Sequence, residues 1–543
     1  VTPSDAWLGY AIVALVSDLA AIPIAARWLR VAQREHYVPG SVWQMARLWV
    51  QRQTASLVVF IAAASSIVAA IVVPAALVGD DPGAMAVIAT SFSVLALVLL
   101  AVFPVSLPAR GRSKKLAFTG RLKRLLVVWI ALHVGVGLAA LLLIGPAGPA
   151  LTLLFSALLT DLGLAIMAPI EKAGSQRFVT QAQQRLKQTG ARVVAITGSY
   201  GKTSTKNYVA HLLSAAFTTV ASPASFNNRL GLSRAVNDKL VPGTELFVAE
   251  MGMAAPGQIA ELCRQFPPSI AAITVVGEGH LQRMRTTEAI LREKSSITDL
   301  APVVVLPIDD PRLAELADRC RAAGKTVITT TCRVETDADV ALVPPSDAAP
   351  DAEPWSIRLG AGAEPVPVSI SGTGHAVNVA VAAGIALAAG VPVAAIAARL
   401  GDLPGSQHRA EVQQAPTGAL VIDDTYNANP VGSLRALEGA ASLAAERGGP
   451  LVVVTPGMVE LGPVQAERNR AFGAAIGAAN GLLFAVARTN RAALLAGYAS
   501  TATSEAPGAI AVDRREAAVA RAVEAAGDRG VILYENDLPD HYP

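Results

Sequence analysis

Residues 193–205 read Val-Val-Ala-Ile-Thr-Gly-Ser-Tyr-Gly-Lys-Thr-Ser-Thr, an apolar run that opens into a glycine loop with a lysine and three successive hydroxyl residues. The run predicts a buried strand, and Lys206 to Phe217 predicts the helix after it. Strand, glycine loop and helix in this order make a cradle for an anionic oxygen. Gly198 and Gly201 let backbone N–H groups come close, the helix N-terminus is electropositive, and Lys202 adds a mobile charge. Thr203 is placed to put its hydroxyl on Mg²⁺. Ile196 stands where the common G-x-x-x-x-G-K-[ST] pattern has its first glycine, so the stretch reads as a variant P-loop for ATP. Its candidate binding set is Gly198, Ser199, Gly201, Lys202, Thr203 and Ser204.

Outside this loop the chain is unusually apolar. Only 16% of its 543 residues are charged and its mean hydropathy is +0.44, while its length predicts about three or four domains. The apolar residues concentrate before position 171, in five windows long enough to cross a bilayer: Trp7 to Ala26, Ala55 to Val78, Ala84 to Leu107, Leu125 to Ile144 and Ala150 to Ile170. A removed signal peptide does not account for five of them. Arg27, Arg30, Arg34, Arg47 and Arg52 follow the first window, and Arg110, Arg112, Lys114, Lys115, Arg121, Lys123 and Arg124 follow the third. The loops at 79–83 and 145–148 carry neither Lys nor Arg. The positive-inside rule then predicts a multi-pass protein of a bacterial cytoplasmic membrane, with its N-terminus outside and everything after Glu171 in the cytoplasm, where ATP is. The net charge of +3 reflects this topology, and no cluster reads as a nucleic-acid surface. Ser41 to Gln53, with Trp43 and Trp49, predicts an amphipathic helix at the inner interface. Cys263, Cys320 and Cys332 lack metal-like spacing and read as reduced structural thiols.

Asp18, His133 and Asp161 each fall near the middle of a predicted span, where an ionisable group costs about 2.5–3.5 kcal/mol unless it is paired or wet. Two readings stay open. One is a shared polar site for a lipid head group, a proton or a translocating chain; the other is a buried hydrogen-bonded set that fixes helix packing.

Beyond the spans, Lys172 to Gln188 predicts a polar helical tether. Strands are expected at Leu246 to Glu250, Ile270 to Val276, Val303 to Pro307 and Thr326 to Thr330, alternating with helices as in a parallel sheet covered on both faces. A second series follows at Leu420 to Ile422, Leu451 to Thr455, Leu482 to Val486 and Gly530 to Tyr534, with Trp355 to Leu359 as an isolated strand between the two. The expected fold class is therefore an α-helical membrane domain of five transmembrane helices (1–171) and a tether (172–192), followed by α/β. The α/β part divides into a P-loop parallel-sheet ATPase domain (193–408) and a smaller Rossmann-like domain (409–543). Glu250 and His280 fall at strand ends, where open α/β sheets bind ligands, and are candidate partners for Mg²⁺.

Further motifs follow in a fixed order. They are Ser-Phe-Asn-Asn-Arg-Leu-Gly (225–231), Glu-Met-Gly (250–252), Gly-His-Leu (279–281), Glu-Lys-Ser (293–295), Asp-Asp-Pro (309–311), Ile-Asp-Asp-Thr-Tyr-Asn-Ala-Asn-Pro (422–430) and Met-Val-Glu-Leu-Gly (458–462). With the glycine loop, these resemble the Mur ligase family of ATP-dependent amide-forming enzymes over about half of the chain, and most closely its MurF branch. The resemblance implies that Lys202 contacts phosphates, that Thr203 and Glu250 hold one Mg²⁺ and that His280 helps to hold a second. It also implies that Lys294 is a carbamylated lysine facing metal, that Asn378 contacts adenine, and that Arg409 and Asp424 reach the nucleotide from the C-terminal domain, with Tyr426, Asn427 and Asn429 at the same edge.

The implied chemistry is activation of a carboxylate as an acyl phosphate, then displacement of phosphate by an amine, with a linker near 404–409 letting the C-terminal domain close over ATP. The MurF branch carries a soluble UDP-binding N-terminal domain where this chain has predicted spans. Thr455-Pro456-Gly457 and the stretch Tyr534 to Pro539 also depart from that branch, in the domain expected to present the amine. A lipid-linked or polymeric peptide-like acceptor and an amino acid or dipeptide are therefore the expected substrates, with partner subunits in the membrane a further expectation. The alternatives are an ATP-driven flippase for a lipid-linked precursor, a MurF-type ligase on the soluble precursor, and a nucleotide-binding scaffold.

Overall fold

The computed structural model describes residues 3–78, 81–109, 116–333, 336–343, 355–360, 362–369, 376–404, 411–426, 428–538 and 541–543. It separates into a helical unit (Val1–Gly174, with Ala487–Thr489 and Leu538–Pro543) and an α/β unit (Ser175–Val486 with Asn490–Asp537).

In the helical unit the elements are α1 (Pro3–Arg34), α2 (Ser41–Arg52), α3 (Thr54–Val78), α4 (Pro82–Val102), α5 (Gly120–Ile144), α6 (Ala147–Leu154) and the start of α7 (Ser156–Thr189). Four stretches, Leu8–Arg34 of α1 and the whole of α3, α4 and α5, are long and apolar enough to cross a membrane. The fifth expected span is not one helix: α6 and α7 meet at a bend of 64°. That break sets Ser156 against the ring of His133, Oγ to Nε2, at 2.8 Å. The third expected span stops at Val102, short of Leu107, because Pro104 has no N–H to continue the helix and disfavours a helical Phe103. Arg27 takes up the carbonyls left over. It donates to Ala101 O (2.6 Å), Phe103 O (3.2 Å) and Leu107 O (3.1 Å), while Arg30 donates to Pro108 O at 2.8 Å. These two arginines thus belong to a helix and close the end of α4, rather than lying in a loop.

The amphipathic helix expected at Ser41 to Gln53 forms as α2, with one face packed. α2 buries Val42, Met45, Ala46 and Trp49 in the helical core, and the Trp49 indole N–H donates to His541 O at 2.9 Å.

The three mid-span polar residues do not form one site. Asp18 is exposed on α1. His133 and Asp161 are buried, and each has its own partners. His133 meets Trp129 O through Nδ1 at 2.8 Å as well as Ser156, and Trp129 donates to Thr160 Oγ1 at 3.0 Å. Asp161 accepts from Val42 N (3.2 Å) and Trp43 N (2.7 Å), orphan donors of the first turn of α2. Among the described residues no hydrogen bond or ion pair joins the three. Helix packing accounts for two of them and leaves Asp18 apart.

The α/β unit holds two sheets. In the first, β1 (Arg192–Thr197), β2 (Thr219–Ala221), β3 (Leu246–Glu250), β4 (Pro268–Ile273), β5 (Val303–Pro307), β6 (Thr326–Thr331), β7 (Val340–Val343), β8 (Trp355–Leu359) and β9 (Val366–Val368) run in the order β2-β3-β1-β4-β5-β6-β7-β8-β9. β8 pairs antiparallel with β7 and β9, so the strand expected to be isolated extends the sheet. The second sheet holds β10 (Glu411–Gln414), β11 (Leu420–Asp424), β12 (Leu451–Thr455), β13 (Leu482–Val486), β14 (Ala509–Val512) and β15 (Val531–Glu535), in the order β10-β11-β15-β12-β13-β14. Only β10 is antiparallel there. β3 and β12 are buried at every residue, as parallel strands covered on both faces must be.

The expected tether is not free. Within its polar sequence Val179, Ala182 and Leu186 recur at helical spacing and are buried, the last two in the core of the first sheet. Arg185 Nε donates to Leu240 O at 2.7 Å.

Candidate functional site

The glycine loop links β1 to the helix Lys202–Leu213, which begins four residues before the expected start at Lys206. Gly201 sets that start. It is the N-cap at φ 78°, ψ −8°, a left-handed conformation that favours glycine, and a Cβ there would overlap the side-chain amide of Asn378. Gly198 has no room for a Cβ beside the Thr274 hydroxyl. Lys202 through Thr205 therefore form the first helical turn, with backbone donors facing the loop. Lys202 Nζ reaches back to Gly198 O at 2.8 Å. Ser199 Oγ bridges to the segment after β4, donating to Gly277 O at 3.1 Å.

Glu250, the last residue of β3, is buried beside this turn. Parallel pairing of β1 with β3 in the register Ile196↔Glu250 brings it level with the start of the loop. Its Oε2 accepts from Thr203 Oγ1 at 2.9 Å, its Oε1 accepts from Asn227 Nδ2 at 3.0 Å, and Lys206 Nζ lies 3.7 Å from Oε2. A hydroxyl and a carboxylate oxygen in contact at a phosphate-type loop are hard oxygen donors of the kind Mg²⁺ selects. Asn378, on the helix Ala376–Ala389, is 1% exposed, and neither its Oδ1 nor its Nδ2 has a hydrogen-bond partner. A buried amide with both ends open is costly unless a ligand completes it, so the cradle fits a nucleotide as well as a metal.

Lys294 is 1% exposed. Its helix, Thr287–Ser295, is pinned by Glu293, which accepts from Gly257 N (2.6 Å) and Ile259 N (2.9 Å). Burial, and then the charge of Lys202, push the Lys294 ammonium well below the lysine range. His280 sits at φ 67° and meets Glu460 of the second sheet's domain, Nδ1 to Oε2, at 2.8 Å. Glu460 is itself at φ 64° and also pairs with Arg283 at 3.1 Å. Next to them Arg468 forks onto Glu278 at 2.7 and 2.9 Å, which raises the Arg468 pKa.

Asp424 ends β11 opposite Glu535 of β15. Burial, then the negative charge of Asp424, raise the Glu535 carboxyl well above the glutamate range. Asp309 and Asp310 take local duties: Asp309 accepts from Cys332 N at 2.8 Å, and Asp310 caps the helix Pro311–Ala322 through Arg312 N at 3.0 Å. The three cysteines are unpaired, and burial pushes Cys263 and Cys332 up to about 12.

Residues 196–386 match the Mur ligase middle domain and residues 408–534 the Mur ligase glutamate ligase domain. The chain belongs to the Mur ligase family. It is similar to the UDP-N-acetylmuramoyl-tripeptide–D-alanyl-D-alanine ligase of Mycobacterium leprae, 32% identical over 300 residues that cover 52% of this chain and 54% of that one. The Bacillus subtilis enzyme of the same name is 29% identical over 297 residues, 54% of this chain and 62% of that one. The chain spans about half the length of the curated relatives it matches. Among solved structures, MurF from Acinetobacter baumannii superposes with a TM-score of 0.55 at 25% identity, over 66% of this chain and 77% of that one. The Thermotoga maritima MurF ligase, solved with ADP, gives 0.53 at 23% over 67% and 80%, a likeness of fold alone.

Within this Mur ligase the structure brings together Gly198, Gly201, Lys202, Thr203, Glu250 and Asn378 around one loop, with Lys294 close enough to feel the charge of Lys202. His280 is engaged by Glu460. Among the described residues no group of three or more His, Cys, Asp and Glu side chains is poised to hold a metal; of the sequence-predicted metal ligands, Thr203 and Glu250 are in contact. Arg409 and Asn427 lie outside the described residues, as does most of the expected linker. Sequence reasoning gave no role to Asn227 and Lys206, which hold Glu250, or to Glu460 and Arg468. Asn227 lies inside a quoted motif, and Lys206 sits one helical turn after Lys202; the other two are visible only once the two sheets' domains meet.

Proposed function

We propose that this Mur ligase forms an amide between a carboxylate activated by ATP and the amine of an amino acid or dipeptide, in building a cell-wall or cell-surface peptide. The observation that carries the reading is the set Lys202, Thr203 and Glu250 at one glycine loop, with the open amide of Asn378 against it. A carboxylate oxygen of the acceptor attacks the γ-phosphorus, the bond to ADP breaks, and an acyl phosphate forms. The amine nitrogen then attacks the acyl carbon, phosphate leaves with the C–O electron pair, and the amine's proton passes to solvent. Lys202 would turn its Nζ from Gly198 O to the γ-phosphate oxygens, where charge spreads as the transfer proceeds. Thr203 and Glu250 would hold Mg²⁺, which supplies the positive charge those oxygens need. Burial disfavours the Lys294 ammonium, and its neutral amine would add CO₂ with loss of a proton, which would replace a buried cation by a carboxylate beside Lys202. His280, once released from Glu460, would be free for a second ion. Asn378, Arg409 and Asp424 would complete the nucleotide site.

The acceptor is, in this reading, lipid-linked or polymeric and meets the enzyme at a bacterial cytoplasmic membrane that the first 171 residues enter. Support comes from the four apolar helices, which lie before the family match begins at residue 196. The sidedness of charge adds a constraint: an N-terminus outside and ATP inside require an odd number of crossings, so the bent pair α6 and α7 must complete a fifth.

The test uses the detergent-purified full chain with ATP, pooled L- and D-amino acids and D-alanyl-D-alanine. Either membrane lipid extract or the soluble UDP-linked tripeptide serves as acceptor, Lys202→Ala as control, and products are read by mass spectrometry. One ADP per new amide from the lipid fraction is expected. Product from the soluble precursor alone would return the enzyme to the MurF reaction, and ADP with no amide would sink the ligase reading.

A further inference from the structure

The exposed face of α1 presents Leu8, Ile12, Leu15, Leu19 and Ile22, at exposures of 61%, 40%, 62%, 59% and 66%. Their spacing alternates four and three residues, the repeat of a helix–helix seam. Ala11 and Ala14, exposed between them, leave room for a second backbone to come close, as small residues do in membrane packing. Asp18 lies on the same face, three residues after Leu15 and four before Ile22. At 1.5 Å per residue it stands about 13 Å along the helix from Arg27 and about 15 Å from Leu8, near the middle of a hydrocarbon layer about 30 Å thick. Its side chain is too short to carry the carboxylate to either surface, unlike the long stems of Lys or Arg. Unlike Asp161, it receives no hydrogen bond or ion pair among the described residues. A mid-depth carboxylate on an outer face needs a partner from elsewhere.

A second copy does not supply one. The basic residues of the described spans lie toward helix ends, Arg27 to Arg34 in α1 and Arg121 to Arg124 in α5, and His133 is buried. A symmetric pair of α1 helices would set Asp18 against Asp18.

Resting on the membrane reading above, we propose that this face of α1 docks a transmembrane helix of a different protein that carries a basic residue at mid-depth opposite Asp18. Charge complementarity fixes the chemistry of the partner, and the seam of Leu and Ile fixes its helical form.

The full chain, in phosphatidylcholine–phosphatidylglycerol vesicles, is labelled for energy transfer to three synthetic leucine-rich transmembrane peptides that differ only in a central Arg, Leu or Glu. The Arg peptide should associate with the wild type at least tenfold more tightly than the Leu peptide. Asp18→Leu should remove that preference and Asp18→Asn should keep part of it, with thermal unfolding and ADP formation of both variants unchanged. Equal association of the Arg and Leu peptides with the wild type overturns the proposal. So does energy transfer between two labelled copies of the chain that Asp18→Leu abolishes, since the face would then belong to a second copy. Flotation with the vesicles after carbonate washing separates the two readings. A chain that fails to float overturns the membrane reading together with this one, whereas a floating chain indifferent to Arg overturns this one alone.

Discussion

Asp161 in the helical unit and Glu250 in the α/β unit are both buried carboxylates, yet their surroundings give them different work. Asp161 is held by backbone donors, Val42 N and Trp43 N, which have no other partner at a helix start; it closes a helix and is finished. Glu250 is held by side chains, Thr203, Asn227 and Lys206, that can turn aside for an incoming cation, next to a glycine loop and an amide still open at both ends. We propose that the movable side-chain donors around Glu250 mark a functional carboxylate, where the fixed backbone donors of Asp161 mark a structural one.

Breaking the functional side should produce the largest effects. Lys202→Ala should lower ADP formation by about 10²–10³-fold, the usual loss on removing one charge-stabilising donor, with unfolding unchanged. Glu250→Gln keeps a side chain that Thr203 and Asn227 can still bond but removes the charge. Turnover per folded molecule should fall about 100-fold, beyond the stability lost when buried Lys206 loses one of its partners, whereas lost stability with turnover per folded molecule unchanged would assign Glu250 to structure.

Lys294→Met sharpens the same distinction. The native ammonium is depressed by burial, so in CO₂-depleted buffer the folded state is penalised in full below its lowered pKa. That penalty should fade as pH rises toward the ordinary lysine value of 10.5. The variant should melt higher at neutral pH, lose this rise with pH, and be inactive. A wild-type stability that is flat with pH from neutral to alkaline, or falls, would contradict the assignment.

On the structural side, Asp161→Leu should cost about 1 kcal/mol of stability, the worth of a helix cap, and leave ADP formation intact. Smallest is the pair Glu278–Arg468, half open to water, where a double-mutant cycle should return about 0.5–1 kcal/mol that declines with added salt.

Several strands buried on both faces are legible in the sequence. β3, β5, β12 and β13 fall where their aliphatic runs predict, since a run such as Leu-Val-Val-Val-Thr has no solvent face to interrupt it. The strands β2, β10 and β14 are not expected from the sequence because they are short and lie at sheet edges, without a clear period; β7 and β9 are also not expected, although β7 is buried inside the sheet, because they are only four and three residues long in a stretch rich in Pro, Ala and Asp. The bend between α6 and α7 was hidden by composition, because an apolar window has no mark for the Ser156 hydroxyl turning to His133. At the site, Gly201, Lys202, Thr203 and Glu250 were legible as local chemistry. The contacts of His280 with Glu460 and of Glu278 with Arg468 were not, since each joins residues about 180 positions apart.

In the proposed reaction the γ-phosphoryl group passes to a carboxylate and not to water. The most direct test runs turnover in H₂¹⁸O with membrane extract and the amine pool, and weighs the released phosphate. Phosphate without ¹⁸O is expected, because its new oxygen comes from the acceptor carboxylate. Phosphate carrying one ¹⁸O per ADP would mean that water attacks ATP, and the chain would be an ATPase coupled to some other work.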